Sequence, residues 1–434
     1  MKRYAIEKLR EWKRGSRRKP LLVQGARQVG KTWLLKEFGR QEYANTAYIN
    51  LAENEDAVAA FSGTLQVESL VRKLSAAAGE PVRAGETLLV LDEIQVSERA
   101  LNALKFFREN APQYHVAAAG SLLGVALNHN RMSFPVGQVD FLDLHPLGFC
   151  EFLEATGSGT LCRYLQEGDW ESVEAVSARY IDQLRLYFCT GGMPEAVAAY
   201  AETGDFNQVR AIHRGILQSY ENDFGKYITR KDFSNIRAVW NAVPGMLAHE
   251  RKFSYGKVKP GGRGRDFEGS IQWLCRSGLL HRISRVTKPS LPLTGYEGSG
   301  AFKLYMLDCG LLCTMSGLEP DTILKGNTLF TEFKGVLTEQ YVLQTLKLHG
   351  DLPVAYWSTE NNSAEVDFIY SRKGAVIPLE VKAAANLRAK SLQSYRARYE
   401  PPYAVRASLA GVGNHDGLYS VPLYAMEQLF SLVP

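Results

Sequence analysis

The sequence lacks several features, and each absence narrows its class. No run approaches the ~18 consecutive apolar residues that a membrane span requires, which argues against an integral membrane protein. The opening residues, Met1-Lys2-Arg3-Tyr4-Ala5-Ile6-Glu7-Lys8, are basic but are followed by no apolar segment of the kind a secretory signal needs. A cytoplasmic protein with no membrane partner is therefore expected. Cysteine is scarce, and the six present (Cys150, Cys162, Cys189, Cys275, Cys309, Cys313) show neither C-x-x-C spacing nor histidines at zinc-finger distances. They read as reduced, mostly buried small hydrophobes. Cys309 and Cys313 stand at i, i+4, yet nothing nearby offers the remaining ligands of a metal site.

A large net charge is missing too: 51 Lys and Arg against 46 Asp and Glu leave only +5. The distribution says more than the total. Residues 1–19 hold nine Lys/Arg against Glu7 and Glu11, and residues 251–288 hold ten against Asp266 and Glu268, so local charges of +7 and +8 sit on a remainder of −10. Two basic islands in an acidic body point to a polyanion at those places, with solvated helix faces as the plainer alternative. At 434 residues the chain is expected to form two to four domains. Its 45% hydrophobic and 22% charged content is that of a globular protein.

The strongest positive signal comes early. The apolar run Leu21-Leu22-Val23-Gln24 leads into Gly25-Ala26-Arg27-Gln28-Val29-Gly30-Lys31-Thr32 and then into Trp33-Leu34-Leu35-Lys36-Glu37-Phe38. Strand, G-x-x-x-x-G-K-T loop and helix in that order are the context a phosphate-binding loop demands. Gly25 and Gly30 let the backbone wrap closely round phosphate, while amides at the helix N-terminus point at the anion. Lys31 brings a point charge to the β and γ phosphates, and the Thr32 hydroxyl is a Mg²⁺ ligand. The nucleotide-binding set is expected to run from Gly25 through Trp33.

A second element, Thr87-Leu88-Leu89-Val90-Leu91-Asp92-Glu93, reads as a buried parallel strand ending in two acids. Asp92 is placed to hold Mg²⁺ and Glu93 to polarise the attacking water. A third strand over Tyr114–Ala119 ends at Gly120-Ser121, where Ser121 is either a sensor of the γ phosphate or a plain helix cap.

These motifs, followed by Phe134-Pro135-Val136-Gly137-Gln138, Leu144-His145-Pro146-Leu147-Gly148-Phe149, Gly191-Gly192-Met193-Pro194-Glu195 and Phe302-Lys303-Leu304-Tyr305-Met306-Leu307-Asp308-Cys309-Gly310, resemble the prokaryotic AAA+ family ATPases. The resemblance is to those that carry a C-terminal domain of unknown function of the 4143 type, and it extends in order over most of the chain. It implies a P-loop ATPase using ATP and Mg²⁺. One departure stands out: relatives usually carry a basic residue where this chain has Gln138. Arg108, Arg131 and Arg179 are the available arginine fingers, and the sequence does not choose among them.

Residues 171–220 have helical apolar spacing broken at Gly191-Gly192, as in a lid or connector bundle. From 232 to 288, a helix (236–247), a basic glycine-rich stretch (Lys257 to Arg265), a second helix (269–276) and an alternating segment (281–286) look like a winged helix. Such modules approach a duplex through Lys and Arg contacts to phosphate, although many serve only in packing or protein contact.

Near the end, a helix over 335–346 precedes strands at 353–358, 365–370 and 376–382. Asp367 and Glu380 on neighbouring strands, with Lys382 two residues beyond Glu380 and so on the same face, are similar to the Asp…Glu-x-Lys pattern of restriction-endonuclease-like domains. Asp367 and Glu380, with Glu339 from the helix, would hold a second divalent ion, Mg²⁺ or Mn²⁺, and Lys382 would orient the attacking water. Gln393 and Tyr395 are further helpers.

The expected fold is α/β in four parts: an AAA+ doubly wound parallel sheet (1–155), a helical connector (156–231), a winged helix (232–299) and a restriction-endonuclease-like α/β domain (300–434). The first functional expectation is a Mg²⁺-dependent ATPase whose nucleotide cycle repositions a DNA-binding, nuclease-like C-terminal half. The second is a nucleotide-switched DNA- or protein-interaction module that does not cleave. A translocating motor ranks below both for want of an identifiable trans arginine. Partners are ATP, DNA, and either further copies of the chain or another protein.

Overall fold

In the computed structural model the described residues are 1–434 apart from 64, 122–136, 226–229, 250–251, 326–330 and 384–388. Arg131 and the segment 134–136 therefore lie outside them.

Five parallel strands, β1 (Leu21–Gln24), β2 (Asn45–Asn50), β3 (Thr87–Asp92), β4 (His115–Ala119) and β5 (Asp140–Asp143), form one sheet in the order β2-β3-β4-β1-β5. Alternation sends Leu21, Val23, Leu88, Val90, Ala117 and Ala119 into one core, and Leu22, Leu89, Leu91, Val116 and Ala118 into another. Both faces are thus covered, which is why these strands read as continuous apolar runs rather than as alternating ones. Because β4 lies between β1 and β3, the ends of the phosphate loop strand and of the acidic strand flank Ser121.

Helices Ser177–Thr190, Pro194–Thr203 and Phe206–Asp223 pack against this module. The contact is close at Gly192, where a Cβ would stand 2.1 Å from the Leu147 carbonyl oxygen. Asp308 ties the same place to the C-terminal half. Its buried carboxylate accepts from the Gly192 amide at 2.6 Å and the Leu311 amide at 2.9 Å, and Gln344 donates to it at 3.3 Å.

The chain continues through helix Arg230–His249, a short helix Tyr255–Val258, helix Gly264–Arg276 and the antiparallel pair β6 (Leu280–Val286) and β7 (Glu297–Met306). That pair is also the edge of a mixed sheet of eight strands. With β8 (Val354–Ser358), β9 (Glu365–Arg372), β10 (Ala375–Val381), β11 (Ala404–Ser408), β12 (Gly413–His415) and β13 (Leu418–Pro422), the order is β12-β13-β11-β10-β9-β8-β6-β7. Residue 300, the expected start of the last domain, falls inside β7, so the two C-terminal parts share one sheet.

Helix Thr331–Leu348 spans the face of this sheet. Gln340 fixes it there: its side chain accepts from the Met306 amide at 2.9 Å and donates to the Met306 carbonyl at 2.6 Å. Five of the six cysteines are buried and all are free. Cys309 and Cys313 donate to the backbone carbonyls of Tyr187 and Phe188.

Candidate functional site

The phosphate loop joins β1 to helix Lys31–Glu42. Gly25 (φ +143°) lies so near β5 that a Cβ would stand 2.2 Å from the Leu144 carbonyl oxygen, and Gly30 (φ +94°) caps the helix in a left-handed conformation. Gln28 also has positive φ. Lys31 is buried and donates to the carbonyls of Gly25 at 2.9 Å and Ala26 at 2.8 Å. Burial pushes its pKa down to about 8. Trp33 is 42% exposed beside the loop, and the Val29 carbonyl accepts from Arg3 at 2.9 Å.

Across from the lysine, Asp92 Oδ2 accepts from Thr32 Oγ1 at 2.5 Å and from the Tyr48 hydroxyl at 3.0 Å, while Oδ1 accepts from the Glu93 amide at 3.0 Å. Thr32 and Asp92 thus present oxygens from adjoining elements, a donor set that fits Mg²⁺. Glu93, at φ +50°, has Oε2 bound by Ser121 Oγ at 3.1 Å and by the Gln95 side-chain amide. Ser121 is therefore in direct contact with the acid that follows β3.

The second half of the chain reaches this loop. Arg27 pairs with Asp223 at 2.8 Å, and Tyr220 donates to the Arg27 carbonyl at 2.8 Å, both partners lying on helix Phe206–Asp223. A cleft of about 330 Å³ opens between Gly25, Ala26 and Val29 on one side and Ser277, Gly278 and His281 on the other. Among the arginine-finger expectations, Arg108 lies in the last turn of helix Glu98–Asn110, and Arg179 is exposed on helix Ser177–Thr190.

Residues 17–153 match a family described as AAA domain. The N-terminal module is an AAA-type ATPase domain. Residues 181–322 match a domain of unknown function (DUF8612), and residues 334–426 match a second (DUF4143), so the ATPase carries a DUF4143 domain at its C-terminal end. No curated protein matches the chain. Among solved structures, it is similar to the Walker-type ATPase PABY2304 of Pyrococcus abyssi at 14% identity, covering 71% of this chain and 94% of that one, with a TM-score of 0.44. The Aeropyrum pernix ORC2 protein in its ADPNP–ADP complexes matches at 14% identity over 80% and 96%, TM-score 0.35. The Aeropyrum pernix ORC1 protein in complex with DNA matches at 13% over 73% and 93%, TM-score 0.28. No helix among the described residues is long and apolar enough to cross a membrane.

In the C-terminal domain of this ATPase, Asp367 on β9 and Glu380 on β10 come together. Asp367 Oδ2 accepts from the Val381 amide at 2.7 Å, and Lys382 Nζ lies 2.6 Å from Glu380 Oε1. Burial, with Glu339 and Glu380 nearby, holds the Asp367 carboxyl well above the usual range, and burial also raises Glu380. Glu339 accepts from the Tyr305 hydroxyl at 2.9 Å.

Two residues that sequence reasoning did not single out complete the cluster: Lys303 Nζ is 2.8 Å from Glu365 Oε1 and 3.7 Å from Glu339 Oε2. The signal for Lys303 was the motif Phe302–Gly310, where Lys303 and Tyr305 share one strand face. Among the described residues no group of three His, Cys, Asp or Glu is arranged to hold a metal ion, so the expected set of Glu339, Asp367 and Glu380 does not form a cage. An ammonium, that of Lys303, stands beside Glu339 and Glu365. Of the two expected helpers, Tyr395 packs edge-on against Trp357 in the core at 5.1 Å, and Gln393 is exposed.

Proposed function

We propose that this ATPase is Mg²⁺-dependent and that its nucleotide cycle repositions a DNA-binding, nuclease-like C-terminal half. The observation that carries the reading is the pair Arg27–Asp223 with Tyr220 on the Arg27 carbonyl. A loop that closes round phosphate pulls on both contacts, and so on the helix leading into the basic module.

Lys31, released from the carbonyls of Gly25 and Ala26, would meet the β and γ phosphates. Thr32 and Asp92 would hold the Mg²⁺, which when bound neutralises phosphate charge. Glu93, released from Gln95 and Ser121, would orient the attacking water. Trp33, exposed at the rim of the loop, would stand beside bound nucleotide.

Support for DNA comes from helix, short helix, helix and antiparallel pair in the order of a winged helix, and from the fate of the two basic islands. In the first, Arg3, Arg10, Lys13 and Arg18 are engaged by protein groups. Lys8, Arg14 and Arg17 of the first are exposed; in the second, Lys252, Lys259, Arg263, Arg265 and Arg276 are exposed and Arg282 pairs with Glu268. Anisotropy of a labelled duplex with ATP analogue or ADP tests the proposal. Binding should weaken steeply with salt and differ between nucleotides. Affinity indifferent to both salt and nucleotide overturns it.

A second reading, a nuclease-like domain that binds DNA or a protein without cutting, is favoured by the ammonium of Lys303 among the carboxylates. A plasmid-nicking assay with Mg²⁺ or Mn²⁺ separates the two. Nicking lost in both Asp367→Ala and Glu380→Ala supports cleavage.

A further inference from the structure

The carboxylate cluster of the C-terminal domain is assembled from four elements. Lys303 and Tyr305 come from β7, Glu339 from helix Thr331–Leu348, Glu365 and Asp367 from β9, and Glu380 from β10, with Lys382 just after it. In the sheet order, β6 and β8 lie between β7 and β9. The Lys303 and Glu365 side chains therefore reach toward each other over the intervening strands, with Lys303 Nζ 5.2 Å from the centroid of the Tyr356 ring on β8.

Lys303 is only 8% exposed, so extending it this far fixes a long flexible side chain away from water. Such an arrangement persists when the ammonium is well compensated. Here it has Glu365 at 2.8 Å and Glu339 at 3.7 Å.

The same four carboxylates would otherwise demand a cation. A divalent ion needs several oxygens converging on one point, and here one oxygen of each carboxylate is already engaged. Glu365 is taken by Lys303, Asp367 Oδ2 by the Val381 amide, Glu339 Oε2 by Tyr305, and Glu380 Oε1 by Lys382. The one oxygen of the cluster that is buried without a hydrogen-bond partner is Glu380 Oε2. A single orphaned oxygen falls short of a coordination sphere, but it marks where one would be completed if the ammonium were removed.

We propose that Lys303 is the resident cation of this cluster, standing between Glu365 and Glu339 where the carboxylates alone would take a divalent metal, so that these two acids are compensated without one. The inference rests on the non-cleaving reading of that domain and supplies its physical cause. It also gives the Lys-x-Tyr of the 302–310 motif a job: Lys303 pairs with Glu365 and faces Glu339, and Tyr305 holds Glu339 in place.

The test uses the full chain without nucleotide, carrying Asp92→Asn so that the ATPase site does not report, and follows free Mn²⁺ by its electron paramagnetic resonance signal. With Lys303 present, no Mn²⁺ binding that depends on Asp367 is expected. Lys303→Met should gain one site that binds Mn²⁺ at least about tenfold more tightly, and adding Asp367→Asn should abolish it.

Mn²⁺ held by the Lys303 chain and lost with Asp367→Asn overturns the proposal, whatever the variants do. So does a folded Lys303→Met chain, checked by circular dichroism, that gains no site. Where Lys303→Met does not fold, Lys303→Met with Glu365→Gln removes the ion pair as a unit and carries the same expectation. Duplex anisotropy on the same preparations keeps the outcomes apart: absent DNA binding sinks the DNA reading while leaving the metal result standing.

Discussion

Lys31 and Lys303 are both buried lysines near the acids of a strand, yet they are held in opposite ways. The Lys31 ammonium rests on two neutral carbonyls while hydroxyls, an amide and a side-chain amide occupy Asp92 and Glu93. The Lys303 ammonium rests on carboxylates. Burial takes the Lys31 pKa down to about 8, whereas around Lys303 the acidic groups, Glu339 and Glu365 among them, outweigh burial and hold it well above its ordinary value. A lysine parked on dipoles can be given up to an incoming phosphate at little cost. One locked into ion pairs inside the protein cannot.

The largest effect that would break this comparison is on stability. Lys303→Met leaves buried acids without their cation and should cost about 3–5 kcal/mol, read from the urea midpoint. Lys382→Met, whose side chain is 32% exposed, should cost about 1 kcal/mol or less. The penalty has a sign in pH. The folded pKa of Asp367 lies above its unfolded value, so the native state holds a proton that the unfolded chain releases. Its contribution is present in full below the unfolded value and is lost as pH rises through the folded one. Lys303→Met should therefore be least harmful in mild acid and worst in alkali. Equal penalties for the two lysines at all pH would erase the distinction between the sites.

Next in size is catalysis. Lys31→Ala should lower ATP turnover about 10²- to 10³-fold by phosphate release, while a folded Lys303→Met chain keeps it. Parallel losses would mean that the C-terminal cluster acts on the ATPase.

What the sequence made legible follows the same division. The strand, loop and helix around Lys31 are local, and β3 with its two acids is a run of buried residues whose period and ending can be read directly. Asp367, Glu380 and Lys382 also lie on adjacent strands, close in sequence, where alternation alone sets the face. Lys303 and Glu365 were not legible as partners because their contact depends on strand order: β7 is three strands away from β9, and nothing local reports that β6 inserts beside β8. Tyr48 escaped for a related reason, since it lies in no motif and acts only through the acid it touches, while Gln95 closes the Asp92-Glu93-Ile94-Gln95 motif without its contact to Glu93 being legible there. The Arg27–Asp223 pair spans 196 positions and joins two domains, which no pattern of spacing encodes. The first basic island read as either an anion-facing surface or a solvated helix face; Glu42 on the neighbouring helix takes up Arg10 and Lys13, while Lys8, Arg14 and Arg17 are exposed.

The cleft beside the phosphate loop offers a smaller test. His145 and His281, with ring centroids 6.4 Å apart, are held neutral by burial, their pKa values taken down to about 4 and about 3. A folded pKa below the ordinary 6.5 means that the unfolded chain binds more protons, so stability is present above that value and lost as pH falls through it toward the folded values. At pH 5 the loss should be about 2 kcal/mol for each histidine. His281→Gln should flatten the urea midpoint against pH over this range, and an unchanged slope would place the acid sensitivity elsewhere.

The smallest effect is the most informative about coupling. Arg27 is 41% exposed, so its pair with Asp223 is screened, and a double-mutant cycle of Arg27→Ala and Asp223→Ala should give a coupling of about 0.5–1 kcal/mol by urea unfolding. That value alone does not separate a brace from a signal. The same cycle with a non-hydrolysable ATP analogue does, because a ligand shifts an equilibrium only through differential interaction with its states. If phosphate draws the loop toward Lys31 and away from helix Phe206–Asp223, the coupling should fall toward zero when nucleotide is bound. A coupling that stays the same with and without nucleotide leaves Arg27–Asp223 as a structural brace, and communication between the two halves would then have to run through Gly192 and Asp308 instead.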